Sequence, residues 1–188
     1  DGQTVVVDLL LKNNSTYFPV TLRDANGMLF EVGADGMVTR GQSNVFVEAN
    51  GGGLKLEVES GGVTTAFTGT TVGTLEAGNR QVVARQQGIA GLDVTRRIFV
   101  PIDGYFARYV DVLSNPGSSP VTVNLWLTSY VQASTDIATS SGDAVLNVAD
   151  AATADRWLMI DDSSDAAGSR AALAFVFDGA GGATRVAA

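Results

Sequence analysis

Between Arg96 and Pro116 the chain reads RRIFVPIDGYFARYVDVLSNP, with three arginines, four aromatic residues and two aspartates in one short run. Guanidinium forks and aromatic faces grip carboxylates and sugars, so this run is the first candidate for a binding surface. Its spacing also fits a plainer role. On a strand, Arg97 shares a face with Phe99, Arg96 shares the other with Ile98 and Val100, and Arg108 alternates with Tyr109. Arginines on a half-exposed sheet pair with cross-strand aspartates or lay their stems over aromatics. Asp111 and Asp103 stand near enough in sequence to be those partners. The residues favour this structural pairing; the alternative is a sugar- or carboxylate-binding face that includes Arg108.

A second aromatic candidate follows at Trp126 and Tyr130, in VTVNLWLTSYV. Both fall on the opposite strand face from Leu125 and Leu127, where they form either a sugar-stacking platform or packing for a second sheet. A third candidate is acidic. From Asp136 onward stand Asp143, Asp150, Asp155, Asp161, Asp162, Asp165 and Asp178, against three arginines. DDSSDAAG offers oxygen ligands at Asp161, Ser163 and Asp165, as a calcium loop begins. It then departs from the EF-hand pattern: alanine stands where glycine should follow, and no glutamate closes the loop. Asp161, Asp162 and Asp165 are therefore set against a solvated acidic turn, with calcium as the ion they would take.

The remaining chemistry is narrowed by composition. The chain has no histidine and no cysteine, which removes Ser-His-Asp and Cys-His catalysis, thiolate metal sites and disulfides. Paired carboxylates serve glycoside hydrolysis, but all five glutamates precede residue 77 and alternate with apolar residues, as a solvated strand face does. DGAGGAT lacks the lysine and the following helix of a phosphate loop. A net charge of −8 opposes binding to nucleic acid or to an anionic membrane surface. The longest apolar run, AALAFVF, is far short of the roughly 20 residues that cross a bilayer. The reading is non-enzymatic.

The elements that would position these groups are strands. Hydrophobic residues make up 45% of 188 residues, charged residues only 17%, and glycine is abundant at 22, a composition of β-branched strands and turns. TVVVDLLLKN alternates Val5, Val7, Leu9 and Leu11 against Asp8 and Lys12. TYFPVTLRDANGMLFEVG reads as two strands about Asn26-Gly27, the strongest short hairpin signal. In VFVEANGGGLKLEVESGGVTTAFTGT, which holds three more, Leu54, Leu56 and Val58 alternate with Lys55, Glu57 and Glu59. DVTRRIFV, the turn PIDG, YFARYVDVL, the turn SNPGSSP and VTVNLWLTSYV read as a three-stranded meander. GDAVLNVA, RWLMIDD and AALAFVF add three strands. No stretch carries a helical stripe beyond a short turn in NVADAATADRWL. The expectation is one all-β domain over residues 1–188, an antiparallel β-sandwich of super-sandwich or jelly-roll type with little or no helix.

From Gly88 to Gly179 the pieces Val100-Pro101, FARY, SNP, SSGD and ADRW…DD give the sequence a likeness to a known family. It resembles a β-super-sandwich module of large secreted and cell-surface bacterial proteins, related to the galactose-mutarotase-like sandwich. The resemblance implies an extracellular building block without established chemistry, and the mutarotase histidines are missing. It also implies further strands after FVFDG, so the expectation extends to a fragment, or to half of a larger sandwich completed by a partner.

Two functions are set against each other. The first is a structural or adhesive extracellular module that self-associates into a filament or surface array by donating a terminal strand, TVVVDLLLKN, to an open sheet edge. The second is a carbohydrate-binding or accessory domain of a polysaccharide-processing enzyme, using Trp126, Tyr130 and Arg108.

Overall fold

A computed structural model describes residues 14–41, 52–131, 136–142, 155–161 and 172–177. All regular structure in these segments is strand, and it is antiparallel throughout, as the alternation required. TVVVDLLLKN, GDAVLNVA after its first glycine, and the first strand of VFVEANGGGLKLEVESGG lie outside the described residues.

The main layer is a five-stranded sheet with order β1-β7-β8-β9-β10, formed by β1 (Ser15–Tyr17), β7 (Val72–Glu76), β8 (Gln81–Ile89), β9 (Leu92–Phe99) and β10 (Arg108–Ser114). Two smaller sheets cover its inner face. One joins β2 (Val20–Arg23), β3 (Leu29–Val32) and β4 (Val38–Gly41); the other joins β5 (Lys55–Ser60), β6 (Val63–Ala66) and β11 (Asn124–Thr128) in the order β11-β5-β6. A further sheet holds β12 (Asp136–Thr139), β13 (Trp157–Asp161) and β14 (Leu173–Val176).

Two apolar clusters cement the sandwich. Leu56 and Val58 of β5 pack with Ala84, Ile89 and Val94 of the main sheet, while Leu22 and Val32 pack with Val82, Ile98 and Val100. Each fully buried side chain of this size contributes about 1.5–3 kcal/mol. The β2–β3 hairpin turns at Asn26-Gly27 as expected. Gly27 adopts a positive φ of 82°, and the buried Asp24 carboxylate accepts the N–H groups of Asn26 and Met28 at 2.9 Å, which satisfies the turn locally.

The expected meander holds for β9 and β10 but not for the third strand. β11 pairs with β5, in the opposite layer. The connection from β10 to β11 contains Pro116 and Pro120, which lack the N–H a ladder needs. Asn115 closes it on itself, donating to Ser119 O at 2.7 Å and accepting from Gly117 N at 2.9 Å.

Candidate functional site

Arg96 serves the structural pairing and not an exposed binding face. Residues of β9 alternate between faces, so Arg96 joins Val94 and Ile98 on the inner face and is fully buried. Register sets it opposite Asp111 of β10. Its Nε donates to Asp111 Oδ1 at 3.0 Å and Nη2 to Oδ2 at 3.4 Å, a bidentate pair. Nη1 donates to Leu54 O at 2.6 Å and to Asp35 O at 3.5 Å. Leu54 leads into β5 and Asp35 lies in the β3–β4 turn, so one guanidinium ties the main sheet to both covering sheets. Gly36, at φ 70°, brings its backbone against this side chain, and a Cβ there would collide with Arg96 Cδ. The arginine also lies 5.0 Å above the Tyr109 ring. Of the two partners the sequence offered, Asp111 is the one used.

Burial dominates the electrostatics of this cluster. Desolvation raises the Asp111 pKa above its ordinary value, against the lowering pull of Arg96. The Tyr109 hydroxyl, buried and without a hydrogen-bond partner among the described residues, is also raised, chiefly by desolvation. Arg96 and Asp111 thus hold the sandwich together from inside and are closed to a ligand.

The other arginines face outward. Arg97 stands on the outer face of β9, and Arg108 of β10 lies over the Phe99 ring at 5.2 Å. Arg85 of β8 completes a diagonal. It is registered beside Thr95, Arg97 beside Val83 and Val110, and Arg108 beside Phe99, so each arginine is one strand over and two residues along from the last. Diagonal neighbours on a sheet lie roughly 7–8 Å apart. Glu76 sits 3.9 Å from Arg85 and 3.8 Å from Arg97, while accepting a 2.7 Å hydrogen bond from Gln81. Arg85 also donates to Thr74 Oγ1 at 3.0 Å. Asp93 stands at the far end of the same face and accepts the Gly88 N–H.

Trp126 and Tyr130 sit on the other layer. Trp126 is registered against Glu57 on the outer face of the β11-β5-β6 sheet and is 49% exposed. Its Nε1 donates to Glu59 Oε2 at 2.9 Å. Tyr130 follows the strand, exposed, its backbone N–H bonded to Gly52 O. On the same face Lys55 pairs with Glu57 at 2.8 Å, and this hydrogen bond raises its pKa. Arg108 belongs to the five-stranded layer, so the structure places it in a different sheet from the two aromatics.

Asp161 ends β13, registered opposite Asp136 of β12; Asp162 and Asp165 lie outside the described residues. Among the described residues no group of three or more acidic side chains is placed to hold a metal ion. One acidic residue of this region has a defined role. Asp155 is buried, and its Oδ1 accepts from Ser141 N at 2.9 Å and Ser140 Oγ at 3.2 Å; Ser140 Oγ accepts from Arg156 N at 2.7 Å. The SSGD and ADRW pieces of the sequence thereby clasp one another beside β12 and β13. The arginine diagonal was the feature sequence reading missed; only knowledge of strand order aligns Arg85 with Arg97 and Arg108. No family model, curated protein or solved structure matches this chain.

Proposed function

We propose that this chain is a non-enzymatic structural or adhesive β-sandwich module of the cell exterior that self-associates by strand addition. The observation that carries the reading is the state of β11. Leu125 and Leu127 are registered opposite Val58 and Leu56, on the core-facing side of their sheet, yet remain 46% and 56% exposed. Among the described strands β11 pairs with β5 alone, so its second edge has backbone groups to offer an incoming strand. A strand with alternating apolar residues would cover both leucines while completing the ladder. TVVVDLLLKN has that alternation in Val5, Val7, Leu9 and Leu11. The resemblance of Gly88–Gly179 to secreted super-sandwich modules supports the extracellular setting. Sedimentation velocity tests the reading. The intact chain forms polymers, and either deletion of Asp1–Lys12 or Leu127→Lys yields monomers; a monomeric intact chain overturns it.

A glycan-binding reading is favoured by one observation, the exposed Trp126 fixed by Glu59, with exposed Tyr130 four residues further along the chain. Reproducible glycan-array binding abolished by Trp126→Ala would establish it in place of the first.

A further inference from the structure

We infer that the two outer faces of the sandwich are a complementary pair, and that a second copy of this chain docks its Glu57/Glu59 face onto the Arg85–Arg97–Arg108 diagonal. The inference rests on the self-association proposed above and adds a second contact to it, perpendicular to the sheets. Ala84 and Val94 of the main sheet pack against Leu56 and Val58 of β5. Alternation along each strand therefore sends Arg85, Arg97 and Arg108 out of one side of the molecule and Glu57 and Glu59 out of the other.

Charge and hydrogen-bonding capacity match across such a stack. The arginine face carries three guanidiniums against Glu76 and Asp93. Glu76 approaches Arg85 and Arg97 only at 3.8–3.9 Å, and Arg108 has no ion pair among the described residues. Each guanidinium has five N–H donors, so most of this capacity is unused. Opposite, Glu57 engages Lys55 through Oε1 and Glu59 engages Trp126 through Oε2. The second oxygen of each carboxylate has no partner among the described residues. Glu57 and Glu59 are two residues apart on one strand, about 7 Å, which matches the roughly 7–8 Å step of the arginine diagonal. Two adjacent rungs can thus each receive a carboxylate. The exposed Val110 and Val112 border the arginine row, and Trp126 borders the glutamates, giving apolar contact around the ion pairs. The two faces differ and point to opposite sides of the molecule, so the contact is heterologous and, where its rotation does not close a ring, repeats from copy to copy. Strand addition in one direction and face stacking in another generate a two-dimensional array.

The test uses intact protein, sedimentation and circular dichroism. The triple variant Arg85→Glu, Arg97→Glu, Arg108→Glu and the double variant Glu57→Arg, Glu59→Arg each remove the complementarity. Each, folded, is expected to raise the concentration needed for sheet-like assembly by on the order of tenfold or more, and an equimolar mixture is expected to restore it. Wild-type assembly is expected to weaken between 50 and 500 mM salt, roughly the range over which screening shortens from ~14 to ~4 Å. Folded variants that assemble as the wild type does, or that fail to recover on mixing, overturn face stacking and leave strand addition standing. Should the variants not fold, salt-independent assembly of the wild type overturns it instead. A monomeric wild type removes the parent reading and this one together.

Discussion

Replacing Arg96 by methionine isolates what the buried pair does. Methionine keeps much of the stem volume but leaves the Asp111 side chain, only 12% exposed, facing apolar neighbours without its cation. The carboxyl then has to take up a proton to remain folded. Holding it protonated costs about 1.4 kcal/mol for each pH unit above its ordinary pKa, which is 3.8. At pH 7 that amounts to about 4 kcal/mol, within the roughly 3–5 kcal/mol measured when one partner of a buried pair is removed. Loss of the donors to Leu54 O and Asp35 O adds about 1–3 kcal/mol. With a urea slope of roughly 2 kcal/mol/M, the unfolding midpoint falls by about 2 M or more at pH 7. At pH 4 the protonation cost nearly disappears and only the carbonyl contribution remains. The wild-type pair has a sign of its own. Asp111 is raised even beside Arg96, so its contribution is fully present below pH 3.8 and declines as pH rises through its folded-state value. Arg96→Met with Asp111→Leu removes the charge altogether, and the double variant should be more stable at pH 7 than Arg96→Met alone. Equal destabilisation by Arg96→Met at pH 7 and pH 4, or additive effects in the double variant, would refute this account of the sandwich interior.

Three other outcomes follow from the same structure. Tyr109→Phe removes a buried hydroxyl that has no partner among the described residues and keeps the ring beneath Arg96, so it is expected to stabilise by about 1 kcal/mol and to reduce the loss of stability above pH 10 in alkaline melts; a loss of more than about 1 kcal/mol would contradict the assignment. Gly36→Ala forces a left-handed φ on alanine and drives its Cβ into Arg96, which should cost about 2 kcal/mol or more in thermal melts, whereas alanine at Gly62, positive in φ but with open space around it, should cost only about 1 kcal/mol. If Asp161 and Asp162 hold calcium, millimolar calcium raises Tm and Asp161→Ala with Asp162→Ala cancels the rise; an unchanged Tm with and without chelator rules the site out.

What was legible in the sequence is what depends on near neighbours. Alternation in LKLEVES places Leu56 and Val58 inside, and Asn26-Gly27 and PIDG mark real reversals. Asp111 was legible as a partner of Arg96 only through its nearness in sequence; residues 100–107 separate β9 from β10, so PIDG alone does not set the register that brings the two opposite each other. Two features were not legible, for a physical reason in each case. β8 opens with Val82, Val83 and Ala84, all buried; a run covered on both faces has no period of two to read. The pairing of β11 with β5 joins residues more than sixty positions apart, and periodicity gives a strand its faces but not its neighbour. The arginine diagonal depends on that same missing information, and so does the exposure of Leu125 and Leu127, which alternation alone assigns to the core.

Electron microscopy of the intact chain at high concentration tests the central claim most directly. Self-association through the open edge of β11 predicts filaments or ordered sheets, lost on deletion of Asp1–Lys12. A field of single particles, matched by a strictly monomeric sedimentation profile with and without calcium, would contradict the account and leave an isolated sandwich module in its place.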